Sequence, residues 1–343
     1  MPSLRDVAKV AGVSTTTVSL VINGRAKEIG IADATVARVQ EAVKQLGYRP
    51  SYHGRSSIRG RSDTIGFVID FGLANQIEGL LWTTILRGAA IESRRLERDI
   101  LLVSDGYGPE LVERAIHYVQ EKRLDAVIIP GFMEPALQQL RSWEEQPVVF
   151  LLPTEESKAL GARVDFQPAV QALGKHLNDM GHKRVLVLGS TARADSQARS
   201  QQFLKGLKEA RLQVATADID VDPYDCGDIV DSAAAIMAAK IEPVLKEHDK
   251  QTAVVCYNDL LACGVMAAAR NLGKQIPEDL SVIGCDNLLT SYMMPSLTTI
   301  DQDFVGIGRL AATQAVARSL GEELRNYKPP ARLHIGTSSG HAP

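Results

Sequence analysis

Apolar residues recur at helical spacing in three short stretches at the start of the chain. Leu4, Val7, Ala8 and Ala11 share one face of a first helix, and Val18, Val21 and Ile22 share one face of a second. Val36, Val39, Val43 and Leu46 line a third, from about Asp33 to Leu46, which Gly47 and then Pro50 terminate. The polar residues between these stretches fit the same reading. Ser3 followed by Asp6 makes a capping-box-like start, Gly12 supplies a tight turn, and Ser14 offers an N-cap to the second helix. Residues 51–63 are polar, basic and glycine-containing, and they read as a linker.

From Thr64 the pattern changes to short apolar runs that alternate with amphipathic helices. Strands are predicted at Thr64–Asp70, Ile100–Ser104, from Asp125, from Val148, from Val185, near 213–219, from Ala253 and from Ser281. Helices fall between them, near 80–96, 110–122, 169–180, 198–210, 230–246 and 259–271. Strands alternating with helices of this length imply parallel sheets with right-handed crossovers. Two successive sets imply two Rossmann-like lobes. The expected fold is therefore an N-terminal three-helix helix-turn-helix domain followed by a two-lobed α/β domain with parallel sheets.

Charge separates the two parts. Residues 1–61 hold ten Lys/Arg and four Asp/Glu, a net +6, which leaves −9 for the rest of a chain whose total is −3. A basic head on an acidic body suits a polyanion-binding module joined to a separate globular domain. The start of the chain carries Arg5, Asp6 and Lys9 without an apolar signal core, so no export is expected and a cytoplasmic location is. No apolar run approaches the roughly 18 residues of a membrane span.

Catalytic and metal chemistry find little support. Cys226, Cys256, Cys263 and Cys285 form no CxxC and match no zinc spacing; Cys256 and Cys285 lie in apolar runs and read as buried free thiols. The seven histidines form no HExxH pair, and P-loop and GxSxG motifs are absent. No cofactor, metal or catalytic residue is expected.

The run DVAKVAGVSTTTVSLVING, with LGYRP after the third helix, resembles the head of lac repressor (LacI) family transcription regulators. GHKRV from Gly181, NDLLACG from Asn258, PEDLSVIGCD from Pro277 and PSLTTIDQDF from Pro295 resemble that family's effector domain, in the family's order. The resemblance covers essentially the whole chain. It implies a periplasmic-binding-protein-like body, operator DNA and a small-molecule effector as partners, and a homodimer. The sugar-like class is the family's commonest effector. The implied division is 1–50 for DNA binding, 51–63 for the hinge and 64–343 for effector binding and dimerisation. Lobe one would take about 64–160 and 291–323, and lobe two about 161–290 and 324–340, with crossings near 160, 290 and 325. The helices near 80–96 and 110–122 are expected to form part of the dimer face.

On the DNA side, the resemblance puts Thr15 and Thr16 at the two base-reading positions of the recognition helix. Thr17, Ser19 and Asn23 lie around them, and Ser3, Leu4, Ser14 and Tyr48 complete the head's candidate contacts. Threonine hydrogen-bonds several bases and packs its methyl on thymine. Leu20 stands where many relatives carry arginine. The hinge departs further. Gly54 replaces a helix-favouring alanine, at about 1 kcal/mol, and Ser57 replaces the leucine that wedges into the minor groove. Ile58 is the candidate substitute wedge, and Arg55, Arg59 and Arg61 are candidate phosphate contacts.

On the sensing side, ligands of two-lobed folds sit between the lobes, at the carboxyl ends of strands. Asp165, Arg193, Asp195, Arg199, Asn258, Asp286 and Phe304 are the candidate effector residues. An arginine facing an aspartate can grip hydroxyls, and an aromatic can lie on an apolar ring face. Each has a plainer alternative: a salt bridge for Arg199, a turn for Asp286, core for Phe304, and packing for Trp82 and Tyr224. Asn258 is expected toward ligand and Asp259 toward capping of the next helix. Phe166 stands where asparagine is common, Gln202 where glycine often precedes the aromatic Phe203, and FGLANQIEG from Phe71 lacks the family's usual aromatic loop. Two rival functions remain. One is a ligand-binding protein of the same fold with vestigial DNA binding. The other is an enzyme on the same lobes, which a strongly shifted pKa at Asp165 or Asp286 would favour.

Overall fold

The computed structural model describes residues 2–49, 60–70, 76–104, 108–140, 145–153, 161–192, 194–223, 230–322 and 328–343. The chain divides into two compact units, Met1–Asp63 and Thr64–Pro343.

In the first unit, helices α1 (Leu4–Ala11), α2 (Thr15–Ile22) and α3 (Asp33–Leu46) enclose a small core of Val7, Ala8, Ala11, Val18, Val21, Val39 and Ala42. The capping devices form as the sequence implies. Ser3 Oγ accepts from the Asp6 amide while the Asp6 carboxylate accepts from the Ser3 amide at 2.8 Å. Gly12 ends α1 at φ 65°, a conformation open to glycine without steric cost. Ser14 Oγ then accepts from the Thr17 amide at 3.0 Å to start α2.

The second unit holds two sheets. In the first, β1 (Thr64–Val68), β2 (Asp99–Val103), β3 (Ala126–Pro130), β4 (Val148–Leu151) and β5 (Gly161–Ala162) run parallel in the order β2-β1-β3-β4-β5. Helices α4 (Gln76–Arg95) and α5 (Gly108–Gln120) and the short α6 (Glu134–Leu137) accompany it. The second sheet has the order β11-β10-β9-β8-β6-β7. Its strands are β6 (Arg184–Ser190), β7 (Gln213–Ile219), β8 (Ala253–Cys256), β9 (Ser281–Asp286), β10 (Thr298–Asp301) and β11 (Arg332–His334). Helices α7 (Gln167–Asp179), α8 (Ala194–Glu209), α9 (Val230–Glu247) and α10 (Asp259–Asn271) belong to it, and α11 (Phe304–Ser319) returns to pack on α4. That packing is backbone to backbone: a Cβ on Gly308 would stand 1.9 Å from the Ile85 carbonyl oxygen.

Two expectations need correction. Residues 291–301 do not belong to lobe one, because β10 pairs in parallel with β9 of the second sheet. The second crossing therefore follows Asp301 rather than 290. The second sheet is also not wholly parallel, since β11 runs antiparallel to β10 along the edge. Both strands are too short to announce themselves by periodicity, and their pairing is decided by distant partners.

Candidate functional site

The head exposes the hydroxyls expected of a base reader. Thr15 and Thr16 are exposed on the first turn of α2, whose opposite face is anchored by buried Val18 and Val21. Other candidates there are partly committed to the fold. Thr17 Oγ1 lies 2.9 Å from Ser14 Oγ, and Asn23 Nδ2 donates to the Ser19 carbonyl at 2.7 Å. Leu4 and Tyr48 are half-buried against the small core, and Ser3 is the α1 cap. Arg55 and Ile58, and with them the hinge wedge, lie outside the described residues. Arg61 is described, and its guanidinium pairs with Asp63 at 2.8 Å.

The second unit carries a cavity of about 680 Å³. The end of β4 supplies Leu152 and Pro153. Phe166, Arg199, Asp195, Asp218 and Gln302 come from elements of the second sheet and the following crossing. Strand ends and a helix start deliver these groups because a parallel sheet places every such terminus on one edge.

Arg199 is the centre of the site. Its Nη1 donates to the Tyr257 carbonyl at 2.8 Å and lies 3.3 Å from Asp286 Oδ1. Its guanidinium also lies over the Phe166 ring, 5.4 Å from the centroid, and 6.0 Å from the Tyr257 ring centroid. Gln302 Nε2 donates to the same Asp286 oxygen. Asp286 ends β9 at φ 124°, a strained conformation for a residue with a Cβ. Burial pushes its carboxyl up to about 7, while the Arg199 guanidinium opposes the shift and the Asp259 charge adds to it.

The cap of the next helix is Asn258 rather than Asp259. Asn258 is the N-cap of α10: its Oδ1 accepts from the Leu261 amide at 2.8 Å, and its buried Nδ2 has no hydrogen-bond partner among the described residues. Asp259 instead accepts from Thr299 Oγ1 at 2.6 Å and from the Leu288 amide at 2.8 Å. It therefore bolts α10 to the chain that runs from β9 to β10. Burial raises its carboxyl to about 6, against the lowering effect of those hydrogen bonds.

The other candidates scatter. Asp165 does not join Arg199 and Asp286. Its Oδ1 accepts from the Gln167 amide at 3.0 Å, and its backbone bridges to Pro330, so it serves the crossing and the start of α7. Phe304 is 4% exposed and belongs to the core, as does Trp82. Asp195 lines the cavity, whereas Arg193 and Tyr224 lie outside the described residues. Gln302, missed in the sequence, lies next to Asp286 through β10. The LTTIDQDF run contains it, but no local pattern marks it as polar and inward.

The raised Asp286 carboxyl does not make a catalytic pair. It accepts from two donors, and the adjacent Cys285 thiol is pushed up by burial, which disfavours the thiolate needed for attack. Among the described residues, no three His, Cys, Asp or Glu side chains are grouped to hold a metal, and no helix is long and apolar enough to cross a membrane.

Comparison with known proteins agrees with this geometry. Residues 3–51 match the family described as bacterial regulatory proteins, lacI family, and residues 175–339 match a periplasmic binding protein-like domain. The HTH-type transcriptional repressor PurR of Vibrio vulnificus is 33% identical over 316 residues, 91% of this chain and 90% of the relative. The protein of that name from Mannheimia succiniciproducens is 30% identical over 317 residues, again 91% and 90% of the two chains. In fold, the chain is similar to the lac repressor dimer bound to operator and the anti-inducer ONPF, with TM-score 0.77, 22% identity and 99% of each chain covered. It is also similar to the transcriptional regulator CelR in its cellobiose complex, with TM-score 0.61, 23% identity, and 98% of this chain and 100% of that one covered. A curated relative one-third identical along nearly all of both sequences settles the affiliation: this chain belongs to the lacI family of bacterial regulatory proteins, as a DNA-binding transcription regulator and not an enzyme.

Proposed function

We propose that this regulator is a cytoplasmic repressor whose operator binding is set by a small polar metabolite held at the Arg199–Asp286 pair. The observation that carries the sensing half is the placement of Arg199. One guanidinium joins α8 to the ends of β8 and β9, lies against Phe166, and borders a cavity of about 680 Å³. A cavity of that size suits a metabolite of sugar dimensions. Charge-assisted hydrogen bonds from such a pair grip hydroxyls, and the Phe166 face accepts an apolar ring face. Ligand binding would change the balance between two arrangements of the lobes and so the presentation of two heads to two half-sites.

The reading takes residues 1–50 as the head, 51–63 as the hinge and the remainder as the sensing body. It includes a homodimer. Ile91 on α4 and Leu102 on the edge strand β2 are exposed apolar residues of the first lobe. In the second lobe, Tyr292 and Met294 are exposed beside a hollow of about 410 Å³ that Cys263, Met266 and Ile276 line together with Arg270 and Lys274. Apolar surface of this kind is what a self-complementary interface buries.

A thermal-shift screen of sugars, sugar phosphates, nucleobases and related metabolites tests the sensing half, since a ligand of the folded state raises Tm. A hit that is lost in Arg199→Ala and Asp286→Ala variants with cooperative melting supports it. A hit that both variants keep contradicts the site.

A further inference from the structure

The wall of the sensing cavity carries two arginines and two aspartates, which differ in exposure. Arg199 already faces Asp286 at 3.3 Å. The cavity's other guanidinium, Arg163, is 9% exposed and donates to the Pro153 carbonyl at 3.2 Å. The exposed charged side chains on the cavity wall are carboxylates, Asp195 on α8 and Asp218 on β7. Asp218 is set in place by a missing side chain. It pairs in register with Gly189, and a Cβ on Gly189 would stand 2.3 Å from Asp218 Oδ1 and 2.8 Å from Ser200 Oγ. The bare glycine therefore leaves a niche in which a carboxylate and a hydroxyl approach each other from β7 and α8. Ser200 Oγ is buried there and has no hydrogen-bond partner among the described residues. A buried hydroxyl without a partner is costly, and a ligand group that bonds it removes the cost.

From this arrangement we infer that the effector carries a primary ammonium group, which the Asp218 carboxylate and the Ser200 hydroxyl receive over Gly189 while Arg199 holds the ligand's oxygen-bearing end. An ammonium has three donors and no acceptor, so it satisfies an acceptor pair that a neutral hydroxyl satisfies less well. Asp286 is faced by Arg199 and Asp195 from α8, by Asp259 from α10, by Gln302 from the crossing, and by the adjacent Cys285; burial first, and then the Asp259 and Asp195 charges, raise its carboxyl against the opposing Arg199.

The inference rests on the sensing cleft proposed above. It is tested with the full chain and matched probes: glucosamine against glucose, galactosamine against galactose, and amino acids against the corresponding 2-hydroxy acids. Affinities are measured by calorimetry on the wild type, on Asp218→Asn and on Arg199→Ala, with each variant's own melting curve as the check on folding. The expected result is that the amine of at least one pair binds about ten-fold or more tightly than its counterpart, and that Asp218→Asn reduces this ratio to near one. Hydroxyl compounds that bind as well as their amines, or an amine preference that survives in Asp218→Asn, would overturn the inference. If that binding is lost in Arg199→Ala, the cleft still stands. Failure of every probe to bind, by a chain that still binds DNA, would overturn the amine inference and count against the cleft as well.

Discussion

Arg199 and Asp286 meet at 3.3 Å across 87 residues of sequence, with the guanidinium nearly enclosed and the carboxylate more so. The pair is the point where α8 and the ends of β8 and β9 converge. It explains why the cavity beside it has a fixed wall before any ligand arrives.

Removing the cation leaves a buried carboxylate without its charge partner. Arg199→Ala should therefore cost about 1–3 kcal/mol of stability at pH 8, less than the loss expected for a carboxylate that cannot protonate. Near pH 5 the Asp286 carboxyl takes a proton and the cost should shrink. Urea unfolding at the two pH values measures this, and an equal cost at both would contradict it.

The linkage at Asp286 has a definite sign. Its folded pKa, about 7, is above the ordinary 3.8 of an aspartate, so the folded state binds the proton more tightly than the unfolded chain. The stability this contributes is full below pH 3.8 and is lost as pH rises toward 7. Wild type minus Asp286→Asn isolates that contribution. The difference in unfolding free energy should fall between pH 4 and 7, by up to about 1.4 kcal/mol per pH unit. A flat difference would show that Asp286 titrates normally.

Histidine burial acts in the opposite direction. His182 is fully buried, with Nδ1 2.8 Å from Thr252 Oγ1 and Nε2 3.0 Å from the Gly340 carbonyl, and burial holds its pKa below the ordinary 6.5. His176, whose Nε2 is 2.9 Å from Ser339 Oγ, is lowered in the same way. Their contribution is present above pH 6.5 and is lost as pH falls below it. His182→Ala should cost about 2–4 kcal/mol, since it creates a cavity and removes one hydrogen-bond partner from each of the Thr252 and Ser281 hydroxyls. Thermal melts from pH 7.5 to 5 should show a smaller acid loss in the variant than in the wild type.

The contact between α4 and α11 predicts intolerance at one position. Gly308→Ala would drive a Cβ to 1.9 Å from the Ile85 carbonyl oxygen, and backbone cannot yield as a side-chain tip can. A loss of about 3 kcal/mol or more is expected, read as a fall in urea midpoint. An unchanged midpoint would mean that the helices separate freely.

Where information is local, the sequence carried it. The Ser3–Asp6 box, the Gly12 turn and the Ser14 cap each depend on residues three or four apart, and all are present with hydrogen-bonding geometry. The alternation after Thr64 likewise exposed the two α/β sets. The site was legible in part: Arg199 and Asp286 were chosen because helix starts and strand ends gather at one edge. The role of Asp259 was not legible, because Thr299 and Leu288 decide it from 40 and 29 residues away. Gln302 and strand β10 were missed for the same reason, as was the Asp218–Gly189–Ser200 niche, which exists only once β7 is in register with β6.

The reader helix predicts a separation of affinity from stability. Thr15→Ala and Thr16→Ala remove exposed hydroxyls and should weaken binding to the preferred DNA by about ten-fold with little change in Tm. Ser14→Ala removes a cap and should cost the head about 1 kcal/mol. Anisotropy and thermal melts on the same variants distinguish the two effects.

The central claim is that one chain reads DNA and that the Arg199–Asp286 site controls the reading. The most direct measurement selects DNA from a random duplex pool with the full chain, then follows binding of the selected sequence by fluorescence anisotropy, with and without the metabolite that raises Tm. The account predicts enrichment of a two-half-site sequence, an affinity that the metabolite changes at least about five-fold, and loss of that response in Arg199→Ala. No enriched sequence, or a metabolite response that persists undiminished in Arg199→Ala, would contradict it.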